Sequence, residues 1–114
     1  MFGWHRRGRG VYSIEEIAER VRPVAEEYGV DSIYVFGSYS KGTARPDSDV
    51  DLLVSAPNIK GIRIGGLYLA LREALGKEID LITDEADPRF LQIISKDAVH
   101  IYGQDLILQP RNRI

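Results

Sequence analysis

Asp49 and Asp51 stand two residues apart, the second inside Val50-Asp51-Leu52-Leu53-Val54, a run whose other members are all apolar. On an extended chain, residues at i and i+2 point to the same face, with α-carbons about 6.5–7 Å apart. Two carboxylates held side by side repel, and aspartate is depleted from strands. A cation between them removes that penalty, and oxygen donors of this kind suit magnesium. Asp80 lies in a second apolar run, Ile79-Asp80-Leu81-Ile82. If the two runs are neighbouring strands, Asp80 can reach the same face and complete a three-carboxylate cluster. Such a cluster can hold two divalent ions about 3.5–4 Å apart, which clamp the attacking and leaving oxygens of an in-line displacement at phosphorus. Solvated aspartates on an open sheet face would show the same D-x-D spacing, so the pair alone does not decide.

Gly37-Ser38, directly after the apolar run Ser32–Phe36, bears on that choice. Glycine lets the backbone approach a ligand closely, and N–H groups opening a turn or helix cradle anionic phosphate. Ser38 adds a hydroxyl donor. A lone Gly-Ser is usually an ordinary turn, but this one is joined to the carboxylate pair by a polar loop carrying Lys41 and Arg45. A phosphate cradle beside a two-metal site is the layout of a nucleotide-transfer site.

The elements that must hold these residues are legible in the local pattern. Ser13-Ile14-Glu15-Glu16 has the form of a capping box. Ile14, Ile17, Ala18, Val21, Ala25 and Tyr28 then recur at helical spacing, and Gly29 is a natural stop. Pro23 inside this pattern predicts a kink near Arg22. Ser32–Phe36, rich in β-branched and aromatic residues, is a buried strand. Ser38–Ser48 is a polar loop, broken by Gly42 and Pro46. Val50–Val54 is a second strand, Leu67–Leu75 an amphipathic helix closed by Gly76, and Ile79–Ile82 a third strand. Asp87-Pro88 pairs an N-cap with proline at the first helical position, opening a helix to about Lys96. Val99–Tyr102 can form a last strand. The order predicts one α/β (α+β) unit, a small mixed β-sheet with helices packed on one face.

Composition narrows the function. One domain of ordinary size accounts for 114 residues. With no cysteine, disulfide scaffolds and cysteine-ligated zinc are excluded. The longest uncharged stretch, Ser32–Ser40, is far short of the ~20 residues of a membrane span. No apolar segment follows the basic residues near the N-terminus, so no secretory signal is expected and the cytoplasm is the expected compartment. A net charge of −2 argues against a dedicated duplex-DNA binder. The charge is uneven, with Arg6, Arg7 and Arg9 in the first ten residues and nine acids against four bases from Asp47 to Asp87. Residues 1–10 are expected to be a basic arm, 11–105 the domain and 106–114 a tail. His5 and His100 lack metal-ligand spacing. Tyr34 fits a strand core and Tyr68 a helix face, while Tyr39 directly follows the Gly-Ser pair, where a ring can touch a nucleotide.

The string Gly37-Ser38-Tyr39-Ser40-Lys41-Gly42-Thr43-Ala44-Arg45-Pro46-Asp47-Ser48-Asp49-Val50-Asp51 resembles the G-S-x(10)-D-x-D signature of the DNA polymerase beta nucleotidyltransferase superfamily. It is most similar to the minimal nucleotidyltransferase (MNT) domains, and the resemblance runs from Ser13 to about Tyr102. It implies a nucleotidyltransferase fold in which Asp49, Asp51 and Asp80 are catalytic and hold Mg²⁺, two ions in all. Gly37 and Ser38 match the triphosphate-binding pair. Lys41 stands where the MNT pattern usually has arginine, which keeps the charge and loses the bidentate fork. Lys41 and Ser48 are assigned to nucleotide binding, with ATP as the expected substrate.

Other members of the superfamily position their acceptors with a further domain, for which this sequence has no room. The acceptor is therefore expected on another chain or on a second copy of this one. MNT proteins of this size resemble the antitoxins paired with HEPN ribonuclease toxins, which implies transfer of AMP from ATP to tyrosine hydroxyls of the toxin. Two other functions stay open: an antitoxin that masks its partner without catalysis, and a small-molecule or RNA nucleotidyltransferase that needs an accessory chain.

Overall fold

The computed structural model describes residues 10–105, so the arginines of the basic arm, His5 and the tail lie outside the described residues. Among the described residues four helices and four strands alternate: α1 Ile14–Tyr28, β1 Ser32–Phe36, α2 Ser38–Lys41, β2 Val50–Ser55, α3 Ile62–Leu75, β3 Ile79–Thr83, α4 Pro88–Ile94 and β4 Val99–Gly103. The strands form one mixed sheet in the order β3-β2-β1-β4. β1 is antiparallel to both β2 and β4, and β2 is parallel to β3.

The local signals act as their chemistry predicts. Ser13 Oγ accepts from the Glu16 N–H at 3.0 Å, and the Glu16 carboxylate accepts from the Ser13 N–H at 2.8 Å, closing the capping box. α1 runs unbroken through Pro23 to its cap at Gly29. Asp87 caps α4, its side chain accepting from the Arg89 N–H, with Pro88 in the first turn. Two elements differ from the sequence pattern. α3 begins at Ile62 rather than Leu67, because its two glycines lie within a helix held by packing. A β-carbon on Gly66 would come 3.1 Å from the Tyr28 hydroxyl, so α1 and α3 approach closely at this point. The second difference is α2, one helical turn inside the stretch expected to be loop.

Alternation along the strands sorts the side chains to two faces. Ile33, Val35, Val50, Leu52, Val54 and Ile79 pack with Ile17, Val21 and Ala25 of α1 and Leu67, Leu71 and Leu75 of α3. Tyr34, Phe36 and Leu53 point the other way and meet Ile94 of α4, with Leu91 and Ile82 packed alongside. The mixed sheet matches the expected fold class. Helices on a single face hold for α1 and α3, but α4 covers part of the opposite face. The physical reason is that β1 and β2 lie inside the sheet and that Tyr34, Phe36 and Leu53 are apolar on the second face, so that face needs cover too.

Candidate active site

The register of the sheet brings the sequence-distant carboxylates together. Asp51 pairs with Phe36 at the end of β1 on one side and with Asp80 of β3 on the other. Asp51 alternates with Val50 and Leu52, and Asp80 with Ile79 and Leu81, all packed toward α1 and α3. Both aspartates therefore stand on the face that carries α4. Asp51 is half-buried and Asp80 exposed. Asp49 is exposed and lies one residue ahead of β2, outside the strand register.

Gly37 closes this site from the β1 side. Its φ of +75° and ψ of −147° place it where side chains are rarely accommodated, and a β-carbon there would sit 2.0 Å from Asp51 Oδ2. The carboxylate of Asp51 therefore lies directly against the turn that follows β1. Burial, then the charge of Asp80, then that of Asp49 push the Asp51 carboxyl up to about 6. Among the described residues no three such side chains converge closely enough to form a ready-made metal cage. The donor set nonetheless fits a divalent cation: all three are hard oxygen donors, and Asp51, the most buried, carries an ionisation penalty from burial and the charges of Asp80 and Asp49 that a cation would remove.

Gly37 also serves as the N-cap of α2, whose first residue is Ser38. Gly37 C=O accepts from the Lys41 N–H at 3.1 Å and from Ser40 Oγ at 2.9 Å, which holds the short turn closed. The N–H groups opening such a turn have no intrahelical carbonyl partner. Lys41 faces Asp97 beyond α4 at 3.9 Å, with both side chains about half exposed. Ser48 Oγ accepts from the Arg45 N–H at 2.8 Å, and the Ser48 N–H bonds back to Arg45 C=O at 2.9 Å, so Ser48 staples its own turn. Tyr39 turns into the core shared with α1 and α3, 5% exposed, and burial pushes its phenol pKa up. Tyr34 is fully buried as expected, and the half-buried His100 sets its ring 5.1 Å from that of Tyr34.

Nothing in the local pattern singles out Lys77, yet it is a buried cation beside this loop. It is 8% exposed, and its ammonium donates to Pro46 C=O at 2.8 Å. The helix of α2 was equally hidden, because four residues are too few to show a period.

Comparison with known proteins extends the geometry. The sequence profile described as the nucleotidyltransferase domain matches residues 14–104. A Methanocaldococcus jannaschii protein named as a protein adenylyltransferase, MJ0435, is 32% identical over 91 residues, spanning 78% of this chain and 98% of that protein. Among solved structures, a toxin–antitoxin crystal structure with AMP-PNP has a chain similar to this one with TM-score 0.67 and 24% identity, covering 80% of each. A re-refined complex of a tri-AMPylated Shewanella oneidensis HEPN toxin with an MNT antitoxin matches with TM-score 0.62 and 20% identity, over 83% of this chain and 80% of that one. At these identities the two structural likenesses speak to the fold.

Proposed function

The chain belongs to the nucleotidyltransferase domain family, and on that premise we propose that it is an antitoxin that transfers AMP from ATP to tyrosine hydroxyls of a cognate HEPN ribonuclease toxin. One observation carries the site assignment: Asp51 lies between its register partner Asp80 and the Gly37 turn, so phosphate-binding backbone and carboxylates meet at one point. The adenylyltransferase name of the M. jannaschii relative supports the reaction class, and the tri-AMPylated HEPN toxin in a similar complex supports the acceptor.

The chain's own residues divide the work. The Gly37-Ser38 turn binds the triphosphate through backbone N–H groups and the Ser38 hydroxyl, with the α-phosphate turned toward Asp51. Lys41, at the end of the same helical turn, adds positive charge beside the outer phosphates, and Ser48 keeps the turn before Asp49 closed. Asp49, Asp51 and Asp80 would hold Mg²⁺, which when bound supplies charge neutralisation at the reacting phosphorus and the departing pyrophosphate. The acceptor oxygen forms a bond to the α-phosphorus as the bond to the β-phosphate bridging oxygen breaks. Pyrophosphate leaves, and the hydroxyl proton passes to the exposed Asp80 carboxylate. The acceptor approaches the carboxylate face of the sheet, because α1 and α3 close the other one.

The test is transfer from α-³²P-labelled ATP with Mg²⁺ to a cognate HEPN protein, with Asp49→Asn plus Asp51→Asn in parallel. Label on the toxin that disappears in the double variant is expected. Equal label from the variant overturns the site assignment. A tight complex with no label from any nucleoside triphosphate makes this a masking partner instead.

A further inference from the structure

Lys77 sits between the Gly76 cap of α3 and the start of β3, a connector position where a lysine ordinarily keeps its charge in water. Here the side chain is buried. Its ammonium bonds Pro46 C=O and lies 5.6 Å from the centre of the Tyr12 ring, which also carries the Arg20 guanidinium at 4.8 Å. Burial pushes the Lys77 pKa down, and the charge of Asp47 pulls it up. The next residue makes a matching contact, since Glu78 C=O accepts from the Val50 N–H at 3.0 Å. Lys77 and Glu78 therefore hold both ends of Pro46-Asp47-Ser48-Asp49-Val50. The two Arg45–Ser48 bonds close the turn that leads into this span. Asp51 and Asp80 are placed by the sheet ladder. Asp49 is outside the strand, and its place depends on where that turn is tied down.

We propose that Lys77 is a positioning residue of the active site: by holding the Pro46 carbonyl it sets the 45–48 turn and, through it, the approach of Asp49 to Asp51 and Asp80. The proposal rests on Asp49 being a metal ligand and adds what holds it in place. A buried cation suits this task better than a neutral donor, because the turn it grips carries the negative charge of Asp47 and charge-assisted hydrogen bonds are the stronger ones.

The test is Mn²⁺ binding to the full chain, read from the electron paramagnetic resonance signal of free Mn²⁺, for wild type, Asp49→Asn, Lys77→Met and Lys77→Arg, each first checked for folding by circular dichroism. Asp49→Asn and Lys77→Met should each weaken Mn²⁺ binding by about tenfold or more, the range seen when a group orienting a metal ligand is removed. Lys77→Arg, which keeps a charged donor, should stay close to wild type. A folded Lys77→Met protein with wild-type affinity, beside an Asp49→Asn protein that has lost it, overturns the role of Lys77 alone. Wild-type affinity in Asp49→Asn overturns the ligand assignment and the proposal with it. If Lys77→Met does not fold, Lys77→Gln takes its place under the same criteria.

Discussion

A β-carbon on Gly37 would lie 2.0 Å from Oδ2 of Asp51. The two residues are brought together by the antiparallel pairing of Phe36 with Asp51, which leaves the turn after β1 directly against the second aspartate of the D-x-D pair. The contact also explains why glycine is needed there, since its φ of +75° adds backbone strain to the steric clash for any other residue. Gly37→Ala should therefore lower stability by about 1–3 kcal/mol, the cost of holding a side chain in a sparsely populated region. It should also abolish nucleotide transfer, because Asp51 must give way. Wild-type melting together with wild-type transfer in this variant would remove the proposed contact from the mechanism.

Asp51 makes stability depend on pH in a stated direction. Its carboxyl is raised from the ordinary 3.8 to about 6 by burial and by Asp80 and Asp49. The folded protein thus binds this proton more tightly than the unfolded chain does. The stabilisation is fully present below the unfolded value and is lost as pH rises through about 6. In metal-free buffer, the melting temperature of wild type minus that of Asp51→Asn should fall across this window. A difference that stays flat or rises with pH would contradict the burial of Asp51 beside the charges of Asp80 and Asp49.

Divalent cations should reverse that loss. A ligand bound only by the folded protein stabilises it by mass action, about 2.7 kcal/mol at about 100 times its Kd. Near neutral pH, Mg²⁺ or Mn²⁺ should raise the melting temperature of wild type, a chelator should restore the starting value, and Asp51→Asn should respond weakly. An equal rise in wild type and variant would point to binding elsewhere.

The cover that α4 supplies should matter far more than the ion pair beside it. Ile94 is 9% exposed and packs with Tyr34, Phe36 and Leu53. Ile94→Ala should cost about 2–5 kcal/mol in urea unfolding, as large-to-small core changes do. Asp97→Asn removes only the half-exposed partner of Lys41 and should cost no more than about 1 kcal/mol. The reverse ranking would mean that α4 is held by charge rather than by burial.

Removing the Ser13 hydroxyl tests the most local of these signals. Ser13→Ala opens the capping box with Glu16 and should cost about 1 kcal/mol. Nucleotide transfer should be unchanged, since α1 lies on the face away from the carboxylates. Loss of transfer at full stability would tie α1 to the active site directly.

Several features are legible in the sequence because their causes lie within a few residues. The Ser13–Glu16 cap, the Gly29 stop, the strand at Ser32–Phe36 and the Asp87-Pro88 start each depend on backbone chemistry of the immediate neighbours. α2 was hidden for the opposite reason. An isolated turn of four residues has no stability of its own, and this one is held by the Gly37 and Gly42 backbone and by the buried Tyr39 ring. The burial of Tyr39 and Lys77 was hidden for the same reason, as both are amphipathic side chains whose direction depends on what packs around them.

The amino-acid sequence by itself determined which residues could do the chemistry: the G-S-x(10)-D-x-D spacing, the carboxylate within Ile79–Ile82, and the strands and helix caps that bear them. Those are consequences of spacing and local backbone preference, which act over a turn or a few strand residues. Only the tertiary structure decided that β3 runs parallel beside β2 with Asp80 level with Asp51, that α4 covers the face opposite α1 and α3, and that Lys77 reaches the Pro46 carbonyl. Strand order and register are settled by burying both faces of β1 and β2 at once, a condition on the whole molecule that no short stretch of sequence carries.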